Sequence, residues 1–111
     1  MAKRLSKALR GKRRWIGVQI SANIPSRSET KSIIEIISTD LQLSLTPKLM
    51  DFEKNSLSNG CSTGIIQVNL TDYTKFRTYI STVDSLDTNG ISSITSSGKI
   101  RLVRQRLSDL E

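Results

Sequence analysis

Gly64-Ile65-Ile66-Gln67-Val68-Asn69-Leu70 is the stretch on which the fold turns. Ile66, Val68 and Leu70 fall on one side of an extended chain, and Ile65, Gln67 and Asn69 on the other. That period of two is the mark of a strand with one buried face. A second stretch repeats it. In Arg14-Trp15-Ile16-Gly17-Val18-Gln19-Ile20, the residues Ile16, Val18 and Ile20 share one face, and Trp15, Gly17 and Gln19 the other. Two half-apolar strands need a common layer to bury against, and the segments beside them supply one.

Asn23, Pro25 and Ser26 break the first strand. Ser26-Arg27-Ser28-Glu29 then has the form of a capping box, in which the serine accepts from the N–H three residues on and the glutamate reaches back. Ile33, Ile34, Ile37 and Leu41 follow at helical spacing, with Ile36 widening the stripe, so a helix is expected from about 28 to 41. Pro47 and the charges around Leu49, Met50 and Phe52 point to an edge strand over 48–54. The Ser/Asn-rich stretch 55–63, with Asn59-Gly60, reads as a turn holding Cys61 as a small loop residue.

Beyond Leu70, Thr71 or Asp72 is placed to cap a second helix, in which Tyr73, Phe76, Ile80 and Val83 recur at helical spacing beside Tyr79. Asp87-Thr88-Asn89-Gly90 is turn chemistry, and 91–96 is a weak strand because serine spoils its alternation. Ser97-Gly98 opens a last helix from about 98, whose Ile100, Val103 and Leu107 share a face. The order β-α-β-β-α-β with a terminal helix predicts an α+β, ferredoxin-like (RRM-like) sandwich, two helices on one face of four antiparallel strands. The expected organisation is a basic N-terminal arm over 1–13 and a single domain over 14–111.

Composition removes whole classes of chemistry. The chain has 111 residues, one Cys and no His. A disulfide within this chain, a Cys/His zinc site and histidine acid–base catalysis all fall. Neither a dinucleotide fingerprint nor a P-loop is present. The carboxylates are scattered; Asp51 and Glu53 share a strand face but read as a solvated edge. No catalytic residue and no metal ligand is therefore assigned. No apolar run approaches the length of a membrane span.

Charge is the informative quantity. The net charge is +7. Lys3, Arg4, Lys7, Arg10, Lys12, Arg13 and Arg14 all lie in the first 14 residues, with no acid among them. The remainder is neutral overall, with a second cluster at Lys99, Arg101, Arg104 and Arg106. Both clusters point to a polyanion. A solvated tail or transit peptide would also be basic, but this run leads directly into a strand. The open face of the third strand offers Ile65, Gln67 and Asn69 and no aromatic, which disfavours a base-stacking reader of single-stranded RNA. Trp15 is the one ring expected there, and reads as a cover for the sheet or an anchor for a partner. At Ser97-Gly98-Lys99 a helix start offers N–H groups and positive charge to a phosphate.

Three segments in order carry a resemblance: Lys12-Arg13-Arg14-Trp15-Ile16, Gly64-Ile65-Ile66-Gln67-Val68-Asn69, and Ser97-Gly98-Lys99-Ile100 before a basic helix. Together they resemble ribonuclease P protein component 2, the small ferredoxin-like subunit of archaeal and eukaryotic ribonuclease P. The resemblance covers the chain beyond the arm. It departs at Gln67, where the family often has Arg, and at Lys99, where it often has Thr. It implies a protein that is not catalytic alone and supports an RNA whose Mg2+-dependent chemistry matures the 5′ end of precursor tRNA.

The implied partners are ribonuclease P RNA, protein component 3 and the other protein subunits, with precursor tRNA contacted indirectly; a homodimer stays open. The implied location is cytoplasmic, or nuclear in a eukaryote, without a membrane. Mg2+ would sit on the RNA, and no cofactor on the protein. The expected RNA contacts are Lys3, Arg4, Lys7, Arg10, Lys12, Arg13, Arg14, Ser97, Gly98, Lys99, Arg101, Arg104 and Arg106, with Trp15 and Ile65 as protein contacts. Two other readings compete: a ribosomal or other RNA-scaffold protein of the same fold, and a regulatory domain binding a metabolite, which would have no use for a basic arm.

Overall fold

A computed structural model describes residues 13–24, 26–54, 57 and 59–110. The chain is α+β. Strand β1 (Arg13–Ile20) leads to helix α1 (Arg27–Leu41), then strands β2 (Lys48–Glu53) and β3 (Ser62–Asn69). Helices α2 (Leu70–Tyr79) and α3 (Ser85–Asn89), strand β4 (Ile91–Ser97) and helix α4 (Ile100–Ser108) complete it. The four strands form one antiparallel sheet in the order β2-β3-β1-β4. The two stretches that alternate most cleanly in sequence are thus the two central strands, as expected of the segments with the most to bury.

The register follows from that alternation. Ile16 faces Ile66 and Arg14 faces Val68 across the β1–β3 pair. Ile16, Val18 and Ile20 join Ile66 and Val68 on one face, where α1 contributes Ile34 and Ile37, and α2 with its C-cap contributes Phe76 and Ile80. The Ser26 hydroxyl accepts from the Glu29 N–H at 3.1 Å, as the capping box requires. At the other end of α1, Gln42 takes the left-handed conformation at φ 55° and closes the helix with its N–H on carbonyls of the last turn. The β2 edge is partly shielded: Arg27 donates to the carbonyls of Leu49 at 2.8 Å and Met50 at 3.3 Å, beside a bulge between Leu49 and Asp51.

Four details depart from the sequence reading. The second helix ends at Tyr79 with Ile80 as its C-cap, so Val83, expected on its apolar stripe, is 106% exposed. The Ile80 carbonyl accepts from Ser93 of β4, which ties the chain to the sheet and stops the helix. Asp87-Thr88-Asn89 lies in the short helix α3, which Gly90 terminates at φ 83°, a conformation open to glycine at little cost. Asp72 does not cap α2. It is 6% exposed and accepts from the Ser44 N–H, the Ser44 hydroxyl and the Leu45 N–H, which fastens the α1–β2 loop. In α1, Ile36 is 61% exposed and lies off the core.

Helix α4 lies on the other side of the sheet. A Cβ at Gly17 would sit 3.0 Å from both Leu107 and Val103 and 3.1 Å from Thr95, so the glycine lets the helix rest against β1. Val103 is fully buried there. The sheet therefore carries helices on both faces, the larger core under α1 and α2 and a smaller one under α4.

Candidate nucleic-acid interface

Helix α4 divides the outer sheet face into a covered part and a free part. Under it lie Gly17 and its register partner Ile65, which is 1% exposed although outside the main core. The structure thus places Ile65 beneath the chain's own helix, not at a surface where another protein would meet it. The apolar stripe Ile100, Val103 and Leu107 was the signal for this: a helix with such a stripe buries it against the nearest apolar surface.

Two of the helix's arginines hold it in place. Arg104 forms a forked pair with Asp51 of β2, Nε to Oδ2 at 2.9 Å and Nη2 to Oδ1 at 3.2 Å. The hydrogen bond that Arg104 donates to Asp51, and then the charge of Asp51, raise the Arg104 pKa above its ordinary value. The pair is open to water, where such contacts add little to stability. Arg106 reaches the opposite edge and donates to the Thr95 hydroxyl at 3.0 Å and the Ser96 carbonyl at 3.1 Å. Lys99 and Arg101 are exposed and make no side-chain bond among the described residues.

The free part of the outer face lies where β1 and β2 begin. Arg13, Leu45, Thr46, Lys48, Gln67, Asn69 and Thr71 line a cleft of about 420 Å3. The register pairs Arg13 with Asn69 and Lys48 with Gln67. Trp15 lies alongside, between Gln67 of β3 and Ser97 of β4. It is half-buried, and its indole N–H is enclosed without a partner. The cleft thus joins two carboxamides, which can donate and accept, to two cations.

The sheet also brings Arg13 and Arg14, the described members of the first basic cluster, to the start of the second. The start of β1 pairs with the end of β4, Trp15 opposite Ser97. The Arg14 guanidinium crosses to Gly98, where a Cβ would stand 2.6 Å from its Nη1. Lys99 is the N-cap of α4, and its N–H donates to the Ser97 hydroxyl at 3.1 Å. Arg13, Arg14, Ser97, Gly98 and Lys99 therefore share one end of the sheet. Lys3, Arg4, Lys7, Arg10 and Lys12 lie outside the described residues.

Arg77 of α2 also belongs to this end, and the sequence reading passed over it. It donates to the Tyr73 hydroxyl at 2.9 Å, and Arg14 lies 5.9 Å from the centre of the same ring. A lone arginine one turn after a tyrosine carries no recognisable pattern, so only the fold reveals it.

Among the described residues no group of three or more His, Cys, Asp or Glu side chains is arranged to hold a metal ion, and no helix is long and apolar enough to cross a membrane. In comparison with known proteins, no family model matches the chain, and no curated protein matches it significantly.

Proposed function

We propose that this chain is a non-catalytic RNA-binding subunit of ribonuclease P, a ferredoxin-like domain with an added C-terminal helix, acting in the cytoplasm. The observation that carries the RNA-binding part is the convergence at one sheet end. Arg13 and Arg14 come to the Ser97-Gly98-Lys99 turn where β1 pairs with β4, and among the described residues no carboxylate pairs with them. Asp72, the nearest acid in sequence to α2's start, is engaged by Ser44 and Leu45. The strand order β2-β3-β1-β4 is compatible with the ferredoxin-like arrangement. The ribonuclease P part rests on the three resembling segments.

In this reading the protein works electrostatically. A folded ribozyme crowds phosphates together, and fixed cations offset their repulsion while releasing condensed counterions. The sheet supplies rigidity, so the cations stay where the RNA needs them. The hydrolysis of the precursor tRNA phosphodiester, with its Mg2+, would belong to the RNA, and component 3 would be the protein neighbour.

The test is to recover the protein from its native cell under mild salt and sequence what accompanies it. Ribonuclease P RNA is the expected major species, together with 5′-maturation activity on precursor tRNA. Recovery of ribosomal RNA alone would replace this reading by the scaffold one, and absence of any RNA would refute both.

A further inference from the structure

We infer that Arg14 and Arg77, arranged around Tyr73 and Ser96, form a phosphate-binding site; within the proposed RNA-binding function, on which this rests, its ligand is a backbone phosphate. The guanidinium carbons lie 5.9 Å and 6.0 Å from the Tyr73 ring centre. Arg77 Nη1 donates to the Tyr73 hydroxyl at 2.9 Å, and that hydroxyl shares a 2.6 Å hydrogen bond with the Ser96 Oγ. Neither arginine has a carboxylate partner among the described residues, where the ion pair is Arg104–Asp51. The Arg14 guanidinium makes no hydrogen bond among the described residues, and the Arg77 Nε–H is shut from water without an acceptor.

Folding alone does not favour this arrangement. Two like charges beside one ring repel, and an enclosed unsatisfied N–H costs free energy. An oxyanion between the guanidinium groups answers the repulsion. Guanidinium groups present paired donors that match phosphate oxygens, and an anion between two of them lowers their mutual repulsion. Tyr73 and Ser96 add to the fit: with one hydroxyl donating to the other, one proton stays free for a ligand oxygen. The neighbouring surface is open, since Gly98 and Lys99 are exposed and Gly98 leaves room for the Arg14 guanidinium.

The experiment has two arms on the full chain. In the first, inorganic phosphate is titrated against chloride at matched ionic strength, and the arginine Nε–Hε resonances are followed by NMR. Arg14 and Arg77 are expected to shift saturably, while Arg27, already bound to the Leu49 carbonyl, stays in place. An Arg77 resonance that moves no more than that of Arg27 overturns the site. In the second, the affinity of a hairpin RNA is measured across salt for the natural chain, Arg77→Gln and Lys31→Gln. Loss of one phosphate contact should flatten the log–log slope by about 0.7–0.9 in Arg77→Gln and leave Lys31→Gln unchanged.

A lower melting temperature of Arg77→Gln with an unchanged slope would make Arg77 a structural residue and overturn the RNA source. Natural protein that shows no salt-dependent RNA binding refutes the proposed function instead, and the phosphate arm alone then decides the site.

Discussion

Asp72 shows how a single residue departs from its local reading. Its position just inside a helix start predicts a cap, yet its carboxylate accepts three hydrogen bonds from Ser44 and Leu45. Nothing in the residues around Asp72 announces that loop, because the contact spans the chain between α1 and α2. Ser26 is the opposite case: its role needs only Glu29 three residues on, and it was legible. Replacing Asp72 by Ala removes a charged acceptor from three donors and should destabilise the domain by about 2 kcal/mol. A shift of the urea midpoint, with unchanged slope, is the expected signature. A midpoint within error of the natural chain would show that water replaces the carboxylate without loss.

At the scale of elements, period-two alternation located β1 and β3 because both strands bury one complete apolar face. The same rule failed for the far side of β3. Ile65 reads as solvent-facing only until α4 is laid over it, and the strand's own residues do not say where a terminal helix will go. The end of α2 was hidden for a related reason: Val83 continues the helical spacing, but Ser93 draws the Ile80 carbonyl into the sheet and ends the helix first. The packing of α4 is testable. Val103→Ala leaves a void between helix and sheet at a fully buried position and should cost about 2 kcal/mol. Trp15, the only tryptophan, shares this outer face and should report loosening as a red shift of its fluorescence. Unchanged stability and emission would mean that α4 adds nothing to the fold.

The molecule as a whole joins what lies far apart in sequence. Both basic clusters were legible as charge runs, and their chemistry as a preference for polyanions. The approach of Arg13 and Arg14 to Lys99 was not legible, since it depends on β1 pairing with β4 at Trp15 and Ser97. Nor was the division of labour at α4, in which Arg104 and Arg106 tie the helix to opposite sheet edges while the side chains of Lys99 and Arg101 make no bond among the described residues. The central claim is that the joined cations at that end neutralise RNA phosphates. The decisive measurement is the salt dependence of the full chain's affinity for a structured RNA, compared between the natural protein, the double variant Arg14→Gln/Lys99→Gln and Lys31→Gln on α1. Neutralised phosphates there mean a steep linear fall of log affinity with log salt, a slope flatter by about 1.4–1.8 in the double variant, and no change for Lys31→Gln. Affinity that ignores salt, or a double variant with the natural slope, would contradict it.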